Sequence, residues 1–149
     1  PERLKADVRA FAPDIIHLSA PDPAAHAAKA LGRALGVPVV ASIHTRFETY
    51  FEYYGLGFIR PVVEALLRRF YAGLDEIFVT TPGFGAMVRA QGLITAEPAV
   101  WSRGVDGQRF NPARRSREWR WGLGLADDVP VIGFVGRLVL EKGLDTVAA

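Results

Sequence analysis

Gly136-Arg137 and, five residues on, Lys142 place a guanidinium and an ammonium on one short stretch that leads into a helix. Arginine grips phosphate oxygens through two parallel N–H bonds, and lysine adds a point charge. Gly133 and Gly136 let backbone approach a ligand closely, and the first amides of a helix carry about half a positive charge. Together these groups have the chemistry to hold a diphosphate. Surface ion pairs with Glu141 or Asp145 account for the same two cations equally well on the spacing alone.

His44-Thr45-Arg46 is the second grouping. His44 alone among the three histidines ends an apolar run and leads into a polar loop, where an imidazole is open to a ligand. His17 lies inside an apolar run and reads as packed and hydrogen-bonded, and His26 sits in an alanine-rich helix and reads as solvated. No HExxH-like spacing occurs, so no metal is expected. Gly83-Phe84-Gly85 imitates a dinucleotide fingerprint, but Val88 stands where the third glycine belongs, and it reads as a decoy.

Strands alternating with helices must position these groups. Leu4, Val8 and Phe11 share one face of a first helix that Pro13 stops. Strands are expected at 15–18, 37–43, 76–80, 99–102 and 131–135, the second of a type covered on both faces. Helices are expected at 24–35, capped by Asp22-Pro23 and ended by Gly36, and at 60–72, with Val62, Val63, Leu66, Leu67 and Phe70 on one buried stripe. A third starts at Thr81-Pro82 with Phe84, Met87 and Val88 inward, and a last one near Gly143 or Leu144. Such alternation gives parallel pairing with right-handed crossovers: an α/β fold, a Rossmann-like doubly wound parallel sheet. Its polar strand exits, Ser19-Ala20-Pro21, His44-Thr45-Arg46, Thr80-Thr81, Arg103-Gly104-Val105-Asp106 and Gly136-Arg137, would converge on one edge, where such sheets bind ligands. The start at Pro1 and the end at Ala149, both within expected helices, suggest a polypeptide that continues in both directions.

The 149 residues carry 18 basic and 16 acidic side chains, so net charge marks no polyanion-binding surface. Half are hydrophobic, enough for a sizeable core. The absence of cysteine excludes disulfides and thiol nucleophiles, and no apolar run approaches the roughly 18 residues of a membrane span. The segment Gly104 to Pro112, where Gly107 and Pro112 break regular structure, is the best boundary candidate, with 1–107 charge-neutral and 108–149 net +2. Phe47, Tyr50, Phe51, Tyr53, Tyr54 and Phe58 form an aromatic-rich loop near Arg60, Arg68 and Arg69. It suits a packed lid, or peripheral contact with a lipid surface. Arg114, Arg115, Arg117 and Arg120, beside Trp119 and Trp121, are interrupted by Glu118, Asp127 and Asp128 and read as a solvated helix face, with no nucleic-acid partner expected.

Five motifs in register, Pro13-Asp14-Ile15-Ile16-His17, Ser42-Ile43-His44-Thr45, Tyr53-Tyr54-Gly55, Arg103-Gly104-Val105-Asp106 with Phe110-Asn111-Pro112, and Gly136-Arg137-Leu138 with Glu141-Lys142-Gly143, resemble the family 4 glycosyltransferases. The subgroup they resemble includes GDP-mannose-dependent mannosyltransferases and sulfolipid-type glycolipid synthases. The resemblance implies the GT-B architecture of two facing Rossmann-like domains. Residues 1–107 would be the later part of the acceptor domain, and 108–149 the start of the nucleotide-sugar domain.

By the same resemblance Gly136, Arg137 and Lys142 match the donor diphosphate site, the two cations stabilising the leaving group without a metal. His44 matches the active-site histidine. Ser19, Thr45, Tyr53, Tyr54 and Arg103 fall on the acceptor or sugar side, Arg103 standing where many relatives carry asparagine and the subgroup often arginine. The implied activity is retaining transfer of a hexose from a GDP- or UDP-sugar to a hydroxyl of a glycolipid or polysaccharide precursor. No cofactor beyond the donor is implied, and the setting is cytoplasmic, at or near the inner membrane face. The family's glycine-rich loop and donor-contacting acids would lie outside 1–149, so these residues alone are expected to be inactive. A noncatalytic Rossmann-like module binding a nucleotide or a protein is the other reading.

Overall fold

The computed structural model describes residues 2–139, 142–144 and 146, which divide into two compact units, Pro1–Ser102 and Arg103–Ala149. That division falls slightly upstream of 107.

In the first unit helix α1 (Glu2–Phe11) precedes β1 (Ile16–Leu18), α2 (Pro23–Leu35), β2 (Val39–Ile43), α3 (Phe47–Tyr53), a 3-10 turn (Gly57–Ile59), α4 (Arg60–Tyr71), β3 (Glu76–Val79), α5 (Pro82–Ala90) and β4 (Ala99–Val100). The four strands are parallel in the order β1-β2-β3-β4. The fold is α/β and Rossmann-like, as the alternation requires. Because the order runs one way, right-handed crossovers put α2, α4 and α5 on one face, the arrangement of one half of a doubly wound sheet. The core lies there, with Leu18, Val39, Ala41, Ile43, Ile77 and Val79 from the strands meeting Ala25, Leu67, Phe70, Tyr71 and Val88 from the helices.

Local chemistry sets the element ends. The Asp22 carboxylate accepts from the Ala25 amide at 2.7 Å, and the Thr81 hydroxyl accepts from the Phe84 amide at 3.2 Å. Past α2, Gly36 is left-handed and its amide donates to Arg33, while Val37 donates to the Gly32 carbonyl at 3.1 Å. Val37 is therefore used in the helix cap, and Pro38 has no N–H to give. This is why β2 starts at Val39 and not at 37. Gly85 of the decoy motif has a packing role: a Cβ there would sit 3.1 Å from Pro98 Cγ and 3.2 Å from Val79 Cγ2, so the glycine seats α5 on β3.

Three expectations change. The buried stripe of α4 is Val63, Leu67, Phe70 and Tyr71, whereas Val62 and Leu66 face solvent. β2 is covered on both faces as expected, with only Ser42 half-buried, and the change lies on β1 beside it. Val40 is buried, but His17 is exposed, its Nε2 2.8 Å from Ser42 Oγ and its ring beside Trp101 at 5.3 Å. His17 is thus hydrogen-bonded without being buried. The aromatic-rich loop after β2 is largely helical, as α3 and the following 3-10 turn.

The second unit contains a 3-10 turn (Pro112–Arg114) and α6 (Arg117–Gly122), capped by Ser116. The strand expected at 131–135 does not form, and Ile132 and Val135 are 80% and 100% exposed. A buried parallel strand needs neighbours on both edges, and no second strand occurs among the described residues of this unit. Arg120 also departs from the solvated-face reading: it is buried and donates to the carbonyls of Ala126 (2.7 Å) and Val129, while Arg115 and Arg117 pair with Asp127. The helix expected from Gly143 or Leu144 runs onto 145 and 147–149, outside the described residues, as are Leu140 and Glu141.

Candidate active site

Parallel pairing fixes the exits of β1, β2 and β3 at one edge of the first unit. Ser19 follows β1, His44 and Thr45 follow β2, and Thr80 and Thr81 follow β3. Since β2 runs between β1 and β3, His44 is flanked by the other two exits. Ser19 and His44 are exposed and Thr45 half-buried. Tyr53 and Tyr54 lie at the end of α3, both exposed.

Two polar networks fix this region. Arg60, at the start of α4, donates through Nε to Glu64 at 2.8 Å and through Nη1 to Glu52 of α3, and these carboxylates raise its already high pKa further. The ladder ties α3 to α4. Arg46, just before α3, donates through Nε to the buried Glu48 carboxylate at 2.7 Å and through Nη2 to Gln91 at 3.3 Å. Tyr71 of α4 lies nearby, and burial followed by the Glu48 charge pushes its phenol up to about 12. Glu48 is not singled out by the sequence, and Arg46 stands out there only as part of the polar exit His44-Thr45-Arg46. The available signal is an acid just past a strand exit, between Phe47 and Thr49 and two residues from an arginine.

Arg103, Gly136, Arg137 and Lys142 belong to the second unit. Asp106 folds the turn after Arg103 by accepting from the amides of Gln108 and Arg109, each at 3.0 Å, and Asn111 closes it on the carbonyls of Gly107 and Gln108. Between the two cations, the Val139 amide donates to the Arg137 carbonyl and the Lys142 amide to the Val139 carbonyl, each at 3.1 Å. Arg137 and Lys142 are both exposed. Among the described residues no three His, Asp or Glu side chains gather as a metal site, and no helix is long and apolar enough to cross a membrane.

A sequence profile for Glycosyltransferase Family 4 matches residues 1–109. The chain belongs to that family. It is 32% identical to a sulfoquinovosyl transferase, SQD2, of Arabidopsis thaliana over 96% of its length and 28% of that protein's. It is 33% identical to a GDP-mannose-dependent alpha-mannosyltransferase of Mycobacterium tuberculosis over 96% of its length and 37% of that protein's. The same-named protein of Mycolicibacterium smegmatis is 32% identical over 98% of the chain and 38% of its own length. The chain thus spans about a third of the length of these relatives.

Proposed function

We propose that the full-length protein is a retaining hexosyltransferase that moves a hexose from a GDP- or UDP-sugar to a hydroxyl of a glycolipid or polysaccharide precursor. Family membership supports glycosyl transfer, and the name of the mannosyltransferase relatives supports a nucleotide-sugar donor. Residues 1–107 serve the acceptor and 108–149 begin the donor domain. Gly136, Arg137 and Lys142 hold the donor diphosphate. Negative charge grows there as the glycosidic bond breaks, and fixed cations stabilise it without a metal ion. His44 stands beside the donor sugar and acceptor, with Ser19, Thr45, Tyr53, Tyr54 and Arg103 on the acceptor or sugar side.

The observation that carries this reading is the pair of exposed cations, Arg137 and Lys142, whose backbones both hydrogen-bond to Val139. Nucleoside diphosphate release by the full-length protein, measured against a panel of GDP and UDP sugars with and without hydroxyl acceptors, tests it. Acceptor-dependent release from one donor is expected. Nucleotide binding without release from any donor would favour the noncatalytic module.

The setting is cytoplasmic, at the inner membrane face. Phe58, Val62 and Leu66 are 78%, 62% and 60% exposed at four-residue spacing, with Tyr54 and Arg69 also exposed, a composition suited to a lipid-water interface. Co-sedimentation of the full-length protein with anionic vesicles should fall on Phe58→Ser with Leu66→Ser. Equal pelleting of both forms would remove this contact.

A further inference from the structure

Glu48 is 2% exposed, in the first turn of α3, and its carboxylate meets the guanidinium of Arg46, the residue just before that helix. Arg46 also reaches Gln91 at the end of α5, and its carbonyl accepts from the amide and hydroxyl of Thr49 at 3.2 and 2.9 Å. The gap beside Glu48 is lined by Glu64, Arg68, Gln91 and Leu93, so α3, α4 and the chain just past α5 all contribute to it. An ion pair between a buried carboxylate and a half-buried guanidinium is a poor way to gain stability, because desolvation of the acid offsets the attraction, but it fixes geometry. On the other side, Ile43 is buried and paired with Val79 in the sheet. Only His44 and Thr45 lie between these two anchors.

We propose that Glu48 is a positioning residue: by clasping Arg46 it holds the far end of the two-residue bridge that carries His44, and so sets the direction of the imidazole at the strand edge. The role rests on the functional reading above, because His44 matters to transfer only if that reading holds. Glu48 itself is too buried to touch a substrate. A segment held at one end alone would sample many orientations of His44, and small misplacements of a reacting group lower turnover without weakening donor binding.

The test uses the full-length protein with Glu48→Gln, which keeps the shape and loses the charge, and Gln91→Ala, which removes Arg46's other partner from an exposed site and leaves the buried pair intact. Hydrogen exchange is followed by mass spectrometry in peptides covering 44–49, with peptides from β2 and β3 as internal controls, alongside transfer kinetics. The expected result for Glu48→Gln is faster exchange confined to 44–49 and a kcat about 10- to 100-fold lower at unchanged donor KM. Gln91→Ala should show the same pattern more weakly, and it carries the test if Glu48→Gln does not fold. Exchange at 44–49 unchanged, or raised equally in β2 and β3, would overturn the positioning role. Faster local exchange with unchanged turnover would leave the clasp standing and remove His44 from the reaction, a failure of the functional reading instead.

Discussion

Lys29 of α2 is buried, and its ammonium donates to the carbonyls of Phe70, at the end of α4, and of Ala72 just beyond it, the latter at 2.7 Å. Lys29→Met keeps the length and most of the volume but leaves both carbonyls without this donor. The buried Phe70 carbonyl left unsatisfied costs about 1–3 kcal/mol, and the carbonyl of the exposed Ala72, which water can reach, costs less. The variant regains part of that by no longer desolvating an ammonium, which is why the net loss should be about 1–3 kcal/mol rather than the full sum. For a unit of this size that lowers Tm by roughly 5–15 °C.

The pH dependence adds a second, sharper condition. Burial first, and then the charge of Arg33, push the Lys29 ammonium below its usual pKa. Between that lowered value and the unfolded value near ~10.4 the unfolded chain binds more protons, so the contribution of Lys29 to stability rises with pH across that window. Urea unfolding of both forms at several pH values should therefore show a gap that widens as pH climbs toward about 10. A Met variant as stable as the parent at neutral pH, or a gap that narrows with rising pH, would refute the reasoning.

Gly32→Ala would bring a Cβ to 2.4 Å from Val39 Cγ2, and should cost about 1–3 kcal/mol in the same unfolding assay through forced separation of α2 from β2. Tyr71 should ionise late, near 12, in an ultraviolet titration, and Tyr71→Phe should remove that late step. Because its folded pKa is raised, its contribution is complete below the ordinary tyrosine value and is lost as pH rises from about 10 to about 12, so the parent should lose stability there faster than Tyr71→Phe.

What the sequence made legible follows from chemistry that acts over a few residues. The caps at Asp22, Gly36 and Thr81 and the inward face of α5 needed only local rules, and together with β-branched runs they specified the alternation of the first unit. Features decided by distant partners were not legible. In α4 two adjacent apolar rows compete for the core, and only the packing against the strands selects Val63, Leu67, Phe70 and Tyr71 over Val62 and Leu66. The run 131–135 has strand composition, but composition cannot supply the neighbours that a strand pairs with. Arg120 looked like part of a basic surface because the carbonyls it grips, of Ala126 and Val129, carry no sequence signal. For the candidate site, His44 and its flanking exits were legible from strand ends, whereas the clasp behind them depends on α3 and α5 folding together with α4.

The central claim is that Arg137 and Lys142 hold a diphosphate and absorb its growing charge during transfer. Steady-state turnover of the full-length protein with its best nucleotide sugar, compared with Arg137→Ala and Lys142→Ala, addresses it directly. Each substitution should lower kcat by about 100- to 1000-fold, the usual effect of removing one fixed group at a site of developing charge. Near-normal turnover in either variant would contradict the account.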